Sequence, residues 1–486
     1  MSLSFPVWLR LTHFINLLFM TLLIRSGLEI LSAHPKLYWR DDCLPGSEWL
    51  KFTRKKLPQD KLWTSKDEEE PFPSWLALPG RQHLGLGRHW HYLSIIGWML
   101  TGVTYVVLLL ATGEWRRLIP TSWSVFPEAW HDFVVYLSFH MPPEAGRYNA
   151  LQQLSYAGVV FLLAPLLILT GAAMSPALTA RFPWYPRFFR NRQTARSLHF
   201  IVMGLFCVFI FMHVLMVCLH GPGWQLARIV LGHEQASHVW ACAIAAVALG
   251  GVVALNVWAT RGSLAHPART QVRLGAVVDP VREFLLHRLT SRQHYSREEI
   301  SPYFRVNGRP PVTPEYQQLS ARGFADWRLR VGGLVRTPLE LSLADLKGLR
   351  QVRQVTRHHC IQGWSAVAEW TGVPLTELFE LCQPLPQARH LVFYSFPQQE
   401  YPSLYYGSID MELAHHPQTI LAYEMNGQPL PLEHGAPLRL RVETELGFKM
   451  VKYIHSIEFV ENVERIGRGL GGYREDHQQY GTGAEI

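Results

Sequence analysis

At 486 residues the chain is long enough for two or three domains of roughly 150 residues, which excludes a peptide module or a disulfide mini-protein. Lys and Arg total 46 against 38 Asp and Glu, a formal charge of +8. Many of the basic residues flank apolar runs, where lipid headgroups or anionic cofactors account for them, and no nucleic-acid partner is expected. Six cysteines, at 43, 207, 218, 242, 360 and 382, show no CxxC spacing, so neither iron–sulfur or structural zinc sites nor a disulfide framework is indicated. The mean hydropathy of +0.02 conceals an asymmetry, because nearly all the long apolar runs lie in the first 260 residues. A membrane half precedes a soluble half.

In chain order, apolar runs fall at Leu11–Leu31, Tyr92–Thr112, Leu151–Met174, Leu198–Leu219 and Val239–Ala259. Each is close to the ~20 residues with which a helix crosses about 30 Å of hydrocarbon. The first begins without a basic n-region or small-residue cleavage site and reads as a retained span. Trp123–Met141, which carries Glu128, His131 and Asp132, reads as an interfacial helix. The insertion 32–88, rich in Trp, Lys and Glu, suggests no role from its composition.

Histidines give the spans their chemistry. His199 and His213 are 14 residues apart, within about 40° of one helix face and about 21 Å apart along the axis. In an antiparallel bundle His13 falls at the depth of His213, and His91 at the depth of His199. Two layers of paired imidazoles suit two b-type hemes, since neutral imidazole ligates low-spin iron without placing uncompensated charge in lipid. Each histidine taken alone is more simply an interfacial residue, and His220 and His238, which lack depth-matched partners, are read that way. His91 is preferred to His89 because it stands inside the Trp90–Tyr92 boundary.

Beyond the spans, 261–299 reads as a linker with an amphipathic helix. The alternation in "WRLRV" and "LRLRVE" and the "NG", "GG" and "HG" turns then predict a β-rich domain over 300–465. The fold class is therefore multidomain, an all-α transmembrane bundle followed by a mixed, β-rich domain. Cys360, in "RQVTRHHCIQGW", stands among Arg353, Arg357, His358 and His359, a setting for a soft-metal thiolate beside an anionic, phosphorylated cofactor. The competing reading is a small buried hydrophobe. A helix over Ser365–Trp370 would put this thiol near a helix N-terminus, favouring thiolate. In "GFKMVKYIHSIEF", Lys449 and Lys452 beside Gly447 could hold a phosphate. Tyr405 and Tyr406 could donate hydrogen bonds to substrate, or simply pack. The final residues, 466–486, read as a surface tail.

Two resemblances sharpen these expectations. "LTHFINLLFMTLLIRSGLEI", "GRHWHYLSIIGWMLTGVTYVV" and "RSLHFIVMGLFCVFIFMHVLMV" resemble the bacterial cytochrome b561 family over residues 8–260. This implies two heme b groups with iron ligands at His13, His91, His199 and His213, exchanging electrons with quinone or quinol. "RHHCIQGWSAVAEWTGVPLTELFE" and "NGQPLPLEHGAPLRLRVETELGFKMVKYIHSIEFVE" resemble the molybdopterin-binding domain of sulfite oxidases and methionine sulfoxide reductase catalytic subunits. This implies molybdopterin with molybdenum bound by Cys360, Arg439 with Lys449 and Lys452 at the pterin phosphate, and His434 lining the same pocket.

The expected protein is a molybdenum-dependent oxidoreductase of the bacterial cytoplasmic membrane that couples quinone to a small oxo-transfer substrate, first an S-oxide or N-oxide reductase. A sulfite-type dehydrogenase, or an electron-transfer subunit with a non-catalytic docking domain, are the alternatives. Lipid is a partner, and homo-oligomerisation is left open. Loop arginines, among them Arg181, Arg187, Arg190, Arg192 and Arg196, tip the charge balance toward a cytoplasmic soluble domain.

Overall fold

The computed structural model describes residues 5–56, 58, 61–142, 148–286, 293–401, 403–481 and 486. Among the described residues five helices are long and apolar enough to cross a membrane: α1 (Val7–Ala33), α2 (Leu84–Ala111), α3 (Ala150–Met174), α4 (Arg192–Leu219) and α5 (His238–Ala265). They match the five apolar runs, and most extend past them because polar residues continue the helices where soluble structure covers them. At the start of α4, Arg192, Gln193, Thr194 and Ser197 are buried, whereas Val208 and Phe211 farther along are exposed to the surroundings that lipid would fill. Asn191 caps α4 by accepting from Thr194 N. Val125–Leu137 forms the short amphipathic helix expected between α2 and α3. Arg25, inside α1, is not left unpaired: it donates to Asn256 Oδ1, Thr260 Oγ1 and Ser74 O at 2.7–2.9 Å.

The linker differs from its expected extent. Residues 261–265 complete α5, Pro267–Leu286 forms α6, and 287–292 lie outside the described residues. Gln293 already belongs to the soluble domain, donating from its Nε2 to Glu443 O at 2.7 Å.

The soluble domain contains two sheets. Strands β1 (Arg328–Gly333), β2 (Leu339–Ser342), β3 (Val352–His359), β4 (Ser365–Pro374), β5 (His390–Ser395), β6 (Tyr406–Asp410), β7 (Thr419–Met425), β8 (Gln428–Pro429), β9 (Arg439–Val442) and β10 (Ile454–Val460) follow in chain order. One sheet runs β8-β7-β4-β3 with β9 also on β7, and the other runs β2-β1-β10-β5-β6. All pairings are antiparallel except β1 with β10. Between the sheets lies the main core, including Trp327, Trp370, Phe393, Leu421, Leu440 and Phe459.

Two expectations are corrected here. Ser365–Trp370 is not helical but the first part of β4, buried along its whole length. Its apolar and β-branched residues fill a two-sided core, and short buried runs do not distinguish helix from strand by periodicity. Residues 466–481 and Ile486 are not a surface tail. Tyr473, Glu475, Asp476 and Ile486 are buried, Tyr473–Gln478 is helical, and a Cβ on Gly85 of α2 would lie 2.2 Å from Gln479 O. The C-terminus is packed against a membrane helix.

The insertion is shorter than its expected 32–88, because α1 runs to Ala33 and α2 starts at Leu84, and it holds the two halves together. On the membrane side Trp49 Nε1 donates to Ser197 Oγ at 2.9 Å, and Arg196 donates to Lys36 O and His34 O. On the soluble side Glu68 pairs with Arg305 at 2.6 Å, Asp67 with Arg309 at 2.8 Å, and Asp41 with Arg357.

Candidate functional site

In the membrane half the four predicted histidines form two pairs. The His13 and His213 rings are 6.3 Å apart between centroids, a separation suited to one metal atom bonded to a nitrogen of each at about 2 Å. In the other layer His91 of α2 and His199 of α4 each meet a hydroxyl of a neighbouring helix. The Nδ1 of His91 is 3.0 Å from Ser26 Oγ, and the Nδ1 of His199 is 3.0 Å from Thr170 Oγ1. Each hydroxyl already donates to its own helix, Ser26 to Leu22 O at 2.7 Å and Thr170 to Leu166 O at 2.6 Å. A hydroxyl that has given away its proton can only accept, so Nδ1 carries the hydrogen and Nε2 keeps the lone pair that a metal needs. His89 instead turns to Gly85 O, His220 to Tyr136, and His238 packs on Trp224.

The soluble half carries its site on the turn between β3 and β4. His359 pairs with Ser365 across the ladder, leaving Cys360 to Trp364 as a loop closed by Cys360 N donating to Trp364 O. Gly363, at φ +110°, permits the reversal. Beside the loop opens a cavity whose walls include His358, Gln362, Tyr405, His434, Arg439, Gly447, Lys452 and Arg474. Cys360 lies just below this wall, 2% exposed, with Gln362 Oε1 at 3.4 Å and Asn307 Nδ2 at 3.7 Å from its sulfur. Gly447 is obligatory, because a Cβ there would sit 2.1 Å from His358 Cε1.

The electrostatics select an anion. Lys66, Arg305, Arg439, Lys452 and Arg474 line the cavity against one carboxylate, Glu69, among the described residues. Arg305 is committed to Glu68, but buried Arg439 has an Nε without a partner. Burial and neighbouring Arg441 bring the Arg439 guanidinium down to about 9; burial and Arg439 together push Lys452 well below its ordinary range. Such crowding of buried cations is relieved by a bound polyanion, and a phosphorylated pterin fits. Arg441 is paired to Glu443 and donates to His358 Nδ1 at 3.1 Å, so His358 is neutral with its hydrogen on Nε2. Burial raises the Cys360 thiol to about 12, opposite to the expected thiolate, since the helix N-terminus that favoured ionisation is a strand. A metal would have to displace that proton itself.

The residues singled out from sequence therefore divide. His358, Tyr405, His434, Arg439, Gly447 and Lys452 line the cavity. Arg353 faces outward toward Glu369, Arg357 is held by Asp41, and His359 meets Ser365 Oγ at 3.0 Å. Lys449 pairs with Glu475 at 2.6 Å, and Tyr406 donates to Asp476 at 2.5 Å. Alternation along β3 separates His358 from its neighbours Arg357 and His359, as a strand must. Missed altogether were Lys66 and Glu69 from the insertion and Arg474 and Tyr480 from the C-terminus.

The cysteine loop is seated directly on α4. Gln193 Nε2 donates to Gly363 O at 2.9 Å, and Arg192 donates to Ser365 Oγ at 2.7 Å. His199 lies six residues along the same helix, about 9 Å of rise from Gln193.

The family model for prokaryotic cytochrome b561 matches residues 4–232, and that for the oxidoreductase molybdopterin binding domain matches 316–465. The chain thus joins a membrane domain of the first kind to a cofactor-binding domain of the second. Among relatives, YedZ1 of Azospira oryzae, provisionally described as a protein-methionine-sulfoxide reductase subunit, is 43% identical over 31% of this chain and 53% of its own. The protein-methionine-sulfoxide reductase catalytic subunit MsrP of Xanthomonas axonopodis pv. citri is 40% identical over 28% of this chain and 46% of its own. The chain spans about half the length of the curated relatives it matches. The sulfane dehydrogenase SoxCD of Paracoccus pantotrophus is 24% identical over 31% of this chain and 40% of that one, at a TM-score of 0.27.

Proposed function

We propose that this protein is a molybdenum-dependent oxidoreductase that draws electrons from quinol through two b-type hemes and uses them to reduce a small S-oxide or N-oxide. The observation that carries the reading is the seating of the Cys360 loop, at the edge of a cationic cavity, on the helix that bears His199. Both redox positions share one rigid support. The S-oxide preference is supported by the names of the relatives, which describe methionine sulfoxide reductase components.

Bound molybdenum would supply two-electron oxygen transfer, and bound heme single-electron carriage. The chain's residues do the rest. Cys360 offers the metal a sulfur ligand; Arg439 and Lys452 hold the pterin's anionic end; His358 presents a neutral N–H donor to the cavity, and Tyr405, whose hydroxyl donates to Phe448 O at 3.4 Å, lines it. His13 with His213, and His91 with His199, would hold the two irons, the latter pair oriented by Ser26 and Thr170.

The purified protein should contain one molybdenum and two heme b per chain. His199→Ala and His213→Ala should each lower the hemochrome toward half and leave molybdenum unchanged. An unaltered heme content in both variants would contradict the assignment.

The cytoplasmic placement of the soluble domain rests on loop charge. Several of those arginines have structural partners: Arg192 and Arg196 hold the insertion and the cysteine loop, and Arg181 donates to Ala177 O. Their presence has a cause other than topology, and the side is read by labelling, as described below.

A further inference from the structure

The insertion between α1 and α2 brings one carboxylate into the cavity. Glu69 accepts from Gln362 Nε2 at 2.6 Å. Gln362 Oε1 in turn accepts from Trp364 Nε1 at 3.1 Å and lies 3.4 Å from Cys360 Sγ. One side chain therefore separates the carboxylate from the candidate metal ligand.

The turn that presents Glu69 is fixed on both flanks. Thr64 donates to Asp67 Oδ2 through both its N–H and its hydroxyl at 2.9 Å. Asp67 and Glu68 are paired to Arg309 and Arg305 of the soluble domain, and Ser65 N donates to Val306 O at 2.8 Å. A loop this firmly attached places its carboxylate as reproducibly as a strand would.

The groups facing Glu69 are mixed. Lys66, Lys55 and Arg474 stabilise its anion; Glu29, Cys360 and Tyr480 stand nearby. Burial outweighs the bond from Gln362 and the cations, and holds the carboxyl above its ordinary range. A carboxyl in that condition keeps its proton to higher pH than an exposed one.

We propose that Glu69 is the proton donor to the oxygen that leaves the substrate, a role that rests on the S-oxide reductase reading above. The reaction is R2SO + 2 e− + 2 H+ → R2S + H2O. The S–O bond breaks, sulfur keeps the electron pair, and oxygen departs as water. The electrons come from a quinol, one proton comes from Glu69, and the other from solvent, which also reprotonates Glu69. The membrane domain thus contributes a reacting group to the soluble domain's site, so the two halves form one active site.

The test uses the detergent-purified full-length holoprotein with reduced methyl viologen as donor and methionine sulfoxide or dimethyl sulfoxide as substrate. A positioned acid contributes about 10²–10⁴-fold, so Glu69→Gln should lower kcat by about 100-fold or more while KM changes little. A donor works when protonated, so wild-type kcat should fall as pH rises through the Glu69 titration. That limb should vanish in Glu69→Gln and return, at a lower rate, in Glu69→Asp. Glu70→Gln, whose native carboxylate faces Thr53 outside the cavity, should behave as wild type. Wild-type kcat and an intact limb in Glu69→Gln would overturn the proposal and leave the reductase reading standing. Loss of molybdenum from Glu69→Gln would also overturn it, by making the residue structural. A wild-type protein that carries molybdenum but reduces neither S-oxide would end the reductase reading and the proposal with it.

Discussion

At the scale of single residues, the membrane site depends on where hydrogens sit. Ser26 and Thr170 each give their proton to a carbonyl one turn back and so can only accept from the imidazole beside them. The two hydroxyls come from different helices, α1 and α3, and act on one pair of histidines. Removing such an outer partner typically weakens metal binding 10–100-fold. Ser26→Ala and Thr170→Ala should therefore each shift the midpoint potential, or weaken the retention, of the His91–His199 heme. The His13–His213 heme should keep its wild-type potential. Redox titration of the heme absorbance checks this, and equal shifts of both hemes would contradict the assignment of these hydroxyls to one pair.

Among elements, the insertion has the largest effect for its size. The Glu68–Arg305 pair is buried on both sides, at 1% and 3% exposure, and Arg305 also donates to Tyr38 Oη and Cys43 O. Leaving one member of a buried pair alone costs about 3–5 kcal/mol. Glu68→Ala should lower the thermal midpoint of the soluble domain and reduce molybdenum content, because Lys66 and Glu69 belong to the same turn. Asp326→Ala, which breaks the exposed Arg322–Asp326 pair, should change neither. Differential scanning calorimetry with metal analysis distinguishes the two. The membrane helices could be read from sequence because 20-residue apolar runs and depth-matched histidines are local signals. The role of the insertion could not, since Glu69 and Gln362 are separated by 293 positions and nothing in either neighbourhood announces the other. The same limit hid Arg474, whose guanidinium donates to Tyr401 Oη at 2.8 Å. Polar, glycine-rich composition around it suggested a tail, but the tail is buried by what it packs upon. The strand at Ser365 is not legible in the sequence because a short, fully buried run carries no period, whereas Cys360 stands out because its basic flank is contiguous in the chain.

For the whole molecule, the arrangement fixes one face. The insertion, the loop before α4, and the soluble domain meet on the same side of the helical bundle, and the helix Val125–Leu137 lies between α2 and α3 on the other. A membrane-impermeant thiol reagent should consequently discriminate Ser47→Cys, exposed in the insertion, from Ser124→Cys, exposed in the opposite loop, once native cysteines are controlled. Protection of Ser47→Cys in intact cells with labelling of Ser124→Cys would agree with a cytoplasmic soluble domain; the reverse pattern would place it outside. Either outcome leaves the internal connection unchanged, because Gln193 and Arg192 join the cysteine loop to α4 within one chain. The central claim is that electrons cross this junction to a substrate. It is tested most directly by reducing the purified protein with dithionite, removing the excess, and following heme absorbance after methionine sulfoxide is added. The account predicts rapid reoxidation of both hemes in the wild type and none above background in Cys360→Ser, whose hemes remain bound and reducible. Equal reoxidation in Cys360→Ser, or none in a molybdenum-loaded wild type, would contradict it.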